Sequence, residues 1–343
     1  MLARERRVTL ASGRSFQTPL LVPSISSAGF DRVAVEGGGT EPESARWLRL
    51  LSTEMETALL VSAYDIAHAN LPEHDEILEN FAGTIYAKPE ILIIDSGLYE
   101  LVHGPPPRKG CRLPWDRRAY ETLASRIDRS CGALLVNYDG YDDDGRASFA
   151  TQITVAREFF AENSELGSDL LIKPEQSPGH LEVTDLVASI EDLQDFDVIG
   201  VTEKELGDGL LAKLTTLATL RRHLDKGGIE APIHLFGSLD PVLSPLYYAA
   251  GAEIFDGLTW LRYGYHWDAT IYHGDIPVLE DEQLSPPELL QMTATLIGNL
   301  RTLRALSERM RQFAGNGEWS VFGPRIGDRL FDAHRVLTAS MGE

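Results

Sequence analysis

Eight short runs, apolar along their length rather than alternating with polar residues, constrain this chain more than any other feature. They are PLLVP at 19–23, ALLVS at 58–62, ILIID at 91–95, ALLVN at 133–137, DLLIK at 169–173, DVIGV at 197–201, PIHLF at 232–236 and EIFD at 253–256. A strand wetted on one face alternates apolar and polar residues. A run apolar at successive positions suits a parallel strand covered on both faces. Helical patterns fill most of the gaps, over 41–51, 117–129, 149–162, 181–193, 210–224 and 241–250, and Gly227 and Gly251 close two of them. Eight strands alternating with helices predict an α/β chain folded as a (β/α)8 TIM barrel. A doubly wound sheet is the alternative, but it needs fewer strands, and neither GxGxxG nor a P-loop is present.

The chain has 343 residues, 43% of them hydrophobic, enough for one large core. Residues 1–264 are read as the barrel. A long helix over 285–313 completes it, with Ser285 as N-cap ahead of Pro286. Residues 314–343 are read as a loop and a last amphipathic helix, which together with the long helix form a C-terminal helical extension. Between barrel and helix, 260–284 reads as irregular and aromatic, with Trp260, Tyr263, Tyr265, His266, Trp267 and Tyr272 close together.

The formal net charge of −21 opposes general binding to nucleic-acid phosphates. One local basic cluster, Arg108, Lys109, Arg112, Arg117 and Arg118, is either a phosphate-facing patch or a solvated loop. No run of eighteen apolar residues occurs, so no membrane span is expected. Residues 1–7 lack a long apolar stretch, so no export signal is expected, and a cytoplasmic location follows by default. With Cys111 and Cys131 the only cysteines, neither a disulfide nor a four-thiolate zinc site is expected.

Barrels of this kind place their chemistry at the C-terminal ends of the strands. The candidates there are Tyr64 and Asp65; Asp95, Ser96 and Tyr99; Asn137 and Asp139; Lys173 and Glu175; Thr202, Glu203 and Glu205; Phe236 and Gly237; and Asp256 and Thr259. Six of the seven groups carry an acid. So many carboxylates in one place raise the affinity of some for protons. One acid then suits a nucleophile and another a general acid/base. Plainer readings stand beside these. Asp95 before Ser-Gly and Asp256 before Gly also suit turns or caps, and Glu203 and Glu205 suit a helix start. Asp139 opens an acidic loop that resembles a calcium loop but lacks the glutamate at its twelfth position. The histidines show no metal-ligand spacing, and His266 and His273 read as packing or surface residues.

Several of these segments, in order, resemble the tRNA-guanine transglycosylase family, the base-exchange enzymes of queuosine and archaeosine biosynthesis. Thr18-Pro19-Leu-Leu-Val-Pro23 resembles its TPxxxP strand, and Asp95-Ser96-Gly97-Leu98-Tyr99-Glu100 its DSGG(F/Y)Q motif. His234-Leu-Phe-Gly237 through Pro241 resembles its (Y/H)LxGxGxP segment, and Phe255-Asp256-Gly-Leu-Thr259-Trp-Leu-Arg262-Tyr-Gly264 its FDxxxPTRxxRxG stretch. Ile297-Gly298-Asn299 resembles a helical HN segment. The resemblance spans about residues 17–313 and implies a (β/α)8 fold. It also implies roles. Asp256 is the nucleophile toward the ribose C1′ and Asp95 the general acid/base, with Ser96 beside it. Asp139 binds the guanine edge. Tyr99 and Phe236 sandwich the purine, Gly200 and Gly237 let the backbone approach it, and Glu205, with Glu203 competing, lies by the base's variable substituent.

The chain departs from the family in three places. The CxCxxC zinc run is absent, and Gly298 stands where the family's zinc histidine would be, so no zinc or other cofactor is expected. The basic PTRxxR stretch survives as Thr259-Trp-Leu-Arg262. The GIVQG strand appears as Leu171-Ile-Lys173-Pro174-Glu175. Three readings result. One is a transglycosylase exchanging guanine for a 7-deazaguanine-type base in tRNA or DNA, with a partner protein supplying the basic surface. The second is a catalytically silent purine-binding subunit, against which both retained aspartates argue. The third is an N-glycosidic enzyme for a small nucleoside. Both homo- and hetero-oligomers stay open.

Overall fold

In a computed structural model of the protein, which describes residues 2–35, 38–103, 114–139, 147–176, 178–266, 269–279 and 287–342, eight parallel strands close into a barrel. They are β1 Leu20–Ile25, β2 Ala58–Ser62, β3 Ile91–Asp95, β4 Leu134–Val136, β5 Gly167–Ile172, β6 Val198–Thr202, β7 Ile233–Phe236 and β8 Ala252–Gly257. Each pairs with the next, and β8 closes on β1 through Asp256 opposite Val22. All eight predicted strands are present, most within a residue or two of their expected bounds.

Side chains alternate across this wall with a period of two. Val22, Leu60, Ile93, Val136, Leu171 and Ile254 point inward and pack as one interior cluster. Leu21, Leu59, Leu92, Leu135, Ile199 and Phe255 point outward against the helices. Phe16, from a hairpin of Arg7–Thr9 with Ser15–Gln17, and Leu10 from its turn join the interior cluster. A Cβ on Gly167, the first residue of β5, would meet Leu10 at 2.8 Å, so the hairpin closes the N-terminal end. Each fully buried Leu, Ile or Phe contributes roughly 1.5–3 kcal/mol.

The alternation breaks once. Ile233 pairs with Ala252, but His234 pairs with Ile254, so Glu253 is an extra residue in β8. Ala252 belongs to the outer layer and Ile254 to the interior, two residues apart. The bulge reverses the facing of everything after it and turns Asp256 into the barrel. Glu253 is buried and bonded by Arg6 Nε at 2.8 Å.

Helices cover the wall, among them α1 Glu43–Leu51, α2 Arg117–Ala124, α3 Phe149–Glu162, α4 Leu210–Lys226 and α5 Leu243–Ala249. Asp116 caps α2 by accepting from the Ala119 N–H at 2.8 Å, and Ser148 caps α3 by accepting from Thr151. Two expected helices are shorter than their patterns. The pattern over 117–129 ends at Ala124, because Asp128 accepts instead from the backbone N–H groups of Ser130 and Phe81 and holds a separate turn. The pattern over 181–193 is helical only over Val183–Leu186 and continues as 3-10 turns over Val187–Asp195, where only Leu193 is buried and no apolar stripe anchors a longer helix.

Beyond the barrel, 260–279 is more regular than expected. It holds a short helix Thr259–Arg262, a hairpin of Gly264–His266 with Ala269–Ile271, and a short helix Ile276–Leu279. The long helix, α6 Glu288–Asn316, starts after Pro287; Ser285 and Pro286 lie outside the described residues. Asn299 ties α6 to the segment after β8. It accepts from the Tyr265 N–H and donates to the carbonyls of Trp260 and Tyr263, each at 2.7 Å. The last helix, α7 Gly327–Ser340, packs Leu330 and Leu337 into the outer core, so the extension is continuous with the barrel's hydrophobic layer. Arg108, Lys109, Cys111, Arg112 and Trp267 lie outside the described residues, and Cys131 is buried with a free thiol. Among the described residues no helix is long and apolar enough to cross a membrane.

Replacing Glu253 by alanine leaves the Arg6 guanidinium buried without its carboxylate. The expected loss is about 3 kcal/mol of unfolding free energy. Denaturant titration of Glu253→Ala checks this, and an unchanged midpoint would show that the bulge is held by other contacts.

Candidate active site

The bulge leaves Asp256 at the C-terminal mouth of the barrel, 7% exposed. Two donors bond its carboxylate, and an imidazole faces it. Ser24 Oγ of β1 donates to Oδ2 at 2.8 Å, and the Gly237 N–H donates to Oδ1 at 2.9 Å. His234 Nε2 lies 3.5 Å from Oδ1. Gly237 has φ +78, a conformation that favours glycine, and nothing occupies the space a Cβ would take there. Its backbone therefore stays open toward the mouth.

His234 points inward one layer below, and its Nδ1 lies 2.6 Å from Asp169 Oδ2. Both side chains are fully buried. Burial works against a charged imidazole, but Asp169 and then Asp256 outweigh it and raise the His234 pKa to about 9. The strand between them, β6, presents Gly200. A Cβ there would stand 2.6 Å from Phe236 Cε2 and 3.0 Å from Asp169 Oδ1. Glycine at 200 thus makes room for the Phe236 ring and for the aspartate–histidine contact. The sequence assigns a site role to neither Asp169 nor His234, although His234 opens the (Y/H)LxGxGxP-like segment. The available signal was a charged or polar residue at an inward position of an otherwise apolar run.

Asp95 ends β3, two strands from β1 and three from β8, and is partly exposed at the mouth. Burial, and then the charges of Asp139 and Asp256, raise its pKa to about 7; the N–H groups of Ser96 and Gly97 pull the other way. Ser96 is buried and donates to Asp139 Oδ1 at 2.6 Å, which joins two of the predicted site residues. Trp115 Nε1 donates to the Ser96 carbonyl at 3.0 Å and holds the turn from behind.

Lys173 is the cation on this side of the mouth. Its Nζ lies 2.8 Å from Glu205 Oε2 and 3.7 Å from Asp139 Oδ2, and donates to Thr202 Oγ1 at 3.1 Å. The two candidate glutamates separate here. Glu205 pairs with Lys173 at the site, whereas Glu203 is taken up by Lys213 at 2.8 Å and by the Tyr247 hydroxyl at 2.7 Å. Glu175 accepts from the Phe149 N–H at 2.9 Å, and Asn137 bridges β4 to β5 by accepting from the Leu171 N–H at 2.6 Å, so both serve structure. A groove of about 450 Å³ between α2, α3 and the end of β4 reaches Asp139 and Lys173, a size in the range of small-ligand pockets. Asp95 and Asp256 do not line it, so it adjoins the mouth rather than forming it.

Phe236 is 8% exposed and stacks one face on His234, with centroids 3.8 Å apart. Tyr99 is 41% exposed on the helix after β3, beside Arg262 Nη2 at 3.5 Å from its hydroxyl. Arg262 also donates to the Ala28 carbonyl at 3.1 Å. Among the described residues no cluster of three or more His, Cys, Asp or Glu side chains is arranged to hold a metal ion.

A second acid pair lies behind the mouth. Asp65 is fully buried and accepts from Asn70 Nδ2 at 3.0 Å and from the Ser27 N–H at 2.7 Å. Glu100 is buried and bonded by the Ser26 hydroxyl. Burial, then the charges of Asp65 and Asp95, raise Glu100 to about 8. Folded protein therefore holds a proton on Glu100 from its ordinary 4.5 up to about 8, whereas the unfolded chain releases it at 4.5. The folded state binds more protons over this window, so this residue's stabilising contribution is full below 4.5 and is lost as pH rises to about 8. Glu100→Gln removes that slope. The melting temperature of the variant relative to wild type should rise steadily from pH 5 to pH 8 and level off above. A difference independent of pH would mean that Glu100 is ionised in the fold.

Neither family models nor curated protein sequences give a match to this chain.

Proposed function

We propose that the protein is a transglycosylase that exchanges a guanine-type base for a 7-deazaguanine-type base through a covalent link between Asp256 and a ribose C1′. The observation that carries this reading is the difference between two acids at one barrel mouth. Asp256 has donors on both oxygens, as suits an anion, while Asp95 is pushed toward the neutral acid. Divergent environments of this kind assign a nucleophile and a general acid. The ordered resemblance of the segments around both acids to tRNA-guanine transglycosylases supports the same roles.

In the first half of the exchange, an oxygen of Asp256 attacks C1′ as the bond from C1′ to the departing base nitrogen breaks. That nitrogen takes the bond's electron pair, and the Asp95 proton neutralises it. In the second half, Asp95 as carboxylate removes the ring-nitrogen proton of the incoming base. The nitrogen attacks C1′, and Asp256 leaves as a carboxylate. Atoms and protons return to their starting places. Asp139 and Ser96 would anchor the base edge, and Phe236 offers it the ring face that His234 does not cover.

A small nucleoside as substrate is the second reading. It is favoured by the pairing of Lys173 with Glu205, which neutralises a cation at the mouth of a chain of net charge −21.

Labelled guanine incubated with the protein and tRNA, duplex DNA or guanosine should enter one of them, and Asp256→Ala should abolish incorporation with the fold intact. Full incorporation by that variant would exclude Asp256 as nucleophile. The half-reaction that releases guanine should also slow above about pH 7, as Asp95 loses its proton. Asp139→Asn removes one charge that raises Asp95 and should move this limb to lower pH.

A further inference from the structure

We infer that His234, held by Asp169, is a positioning residue for Asp256, and that its charge speeds departure of the Asp256 carboxylate in the second half of the exchange. This rests on the base-exchange reading above.

The geometry is specific. His234 Nδ1 is 2.6 Å from Asp169 Oδ2, which sets the ring plane and leaves Nε2 facing Asp256 Oδ1 at 3.5 Å. Phe236 stacks on the ring at 3.8 Å and prevents it from turning. Gly200 leaves the gap through which Asp169 reaches across β6. Charged groups face the imidazole from β5 (Asp169) and β8 (Asp256); β6 contributes Gly200, and the neighbouring turn contributes the Gly237 N–H. Oδ1 of Asp256 is thus occupied by the Gly237 N–H and faced by His234. Oδ2, with only the Ser24 hydroxyl, is the oxygen placed to bond C1′.

When Asp256 is bonded to C1′ its negative charge is gone, and it returns when the incoming base nitrogen displaces it. A cation beside Oδ1 favours the state with the charge. It therefore weakens the covalent intermediate and hastens its breakdown. The imidazole keeps its protons throughout, so the exchange remains balanced. A neutral group in its place should make Asp256 a poorer leaving group and lengthen the life of the intermediate. A purely structural role would lower formation and breakdown alike.

The test uses the full chain, wild type, His234→Gln and Asp169→Asn, each checked for folding by circular dichroism. Wild type is loaded on whichever of tRNA, duplex DNA or guanosine accepts labelled guanine. The protein adduct is trapped by denaturation, and its decay is followed after guanine is added. Adduct decay should slow at least tenfold in His234→Gln, with formation changed less, and Asp169→Asn should behave in the same direction. Nitrogen-15 NMR of the His234 ring should show both nitrogens protonated at pH 7.5, with titration near pH 9 that moves down in Asp169→Asn. A neutral ring at pH 7.5, or unchanged adduct decay in both variants, overturns the inference and leaves the exchange reading standing. Absence of any adduct and of exchange in wild type, with the ring charged, overturns the exchange reading and the leaving-group role together. If His234→Gln fails to fold, the decay rate of Asp169→Asn and the ring titration decide the matter.

Discussion

One inserted residue determines which way the candidate nucleophile points. In a regular strand, Ala252 on the outer face would place Ile254 and Asp256 on the outer face as well. The extra Glu253 reverses that parity, and Asp256 enters the barrel. The reversal needs somewhere to put Glu253 itself, and Arg6 from the N-terminal segment supplies it. The same segment plugs the barrel floor with Leu10 and Phe16. The aim of a side chain at the mouth thus depends on contacts at the opposite end. Bulges beside functional groups recur for this reason: they re-aim a residue without altering the strands on either side.

Once Asp256 is inside, the barrel faces a charge problem. Asp169, Asp256, Asp95, Asp139 and Glu205 lie toward one end of a barrel interior packed mostly with Val, Leu and Ile. A buried carboxylate without a partner is pushed toward its neutral form. Two cations divide the load. His234 faces Asp169 and Asp256, and Lys173 faces Glu205 and Asp139. Among the described residues Asp95 has neither, only the N–H groups of its own turn, and its proton affinity rises to about 7. The proton-carrying role proposed for Asp95 thus follows from how these cations are distributed, and not from β3 alone.

The barrel was legible because a parallel strand buried on both faces leaves a run that helices and wetted strands do not produce. Segments such as ALLVS at 58–62 and ILIID at 91–95 coincide with strands residue for residue. Strand ends were legible for the same reason, and they brought Asp95, Ser96, Asp139, Glu205 and Asp256 onto one short list. The period-two rule fails at Glu253, where no local signal marks an inserted residue; only pairing with β7 reveals it. Asp169 receives no role from the sequence, and His234 enters only as the first residue of a motif-like segment, because the strand-end rule points to the ends of their runs. Their partnership spans 65 positions in the chain and depends on a glycine in a third strand. Glu203 and Glu205 could not be separated by spacing, since only the reach of Lys213 and Tyr247 on one side and of Lys173 on the other distinguishes them.

The same distribution of charge bears on what can approach the mouth. A polymer is drawn in by cations that face solvent, because released counterions and phosphate contacts supply most of its affinity. Here Lys173 and Lys213 already hold glutamates, and His234 is sealed beneath Phe236. Arg262 is spent on a carbonyl and a tyrosine hydroxyl at the rim. Among the described residues, these four side chains are engaged with groups of the protein itself. At physiological ionic strength the screening length is about 8 Å. Repulsion from the distant acidic surface is damped at that range. A nucleoside needs only the aromatic face of Phe236 and the anchors at Asp139 and Ser96. On the proposed base-exchange reading, a nucleic acid needs a basic surface in addition, and a second protein is the proposed source of it. That reading gives both substrates the same chemistry at Asp256 and leaves the choice between them to groups outside the barrel.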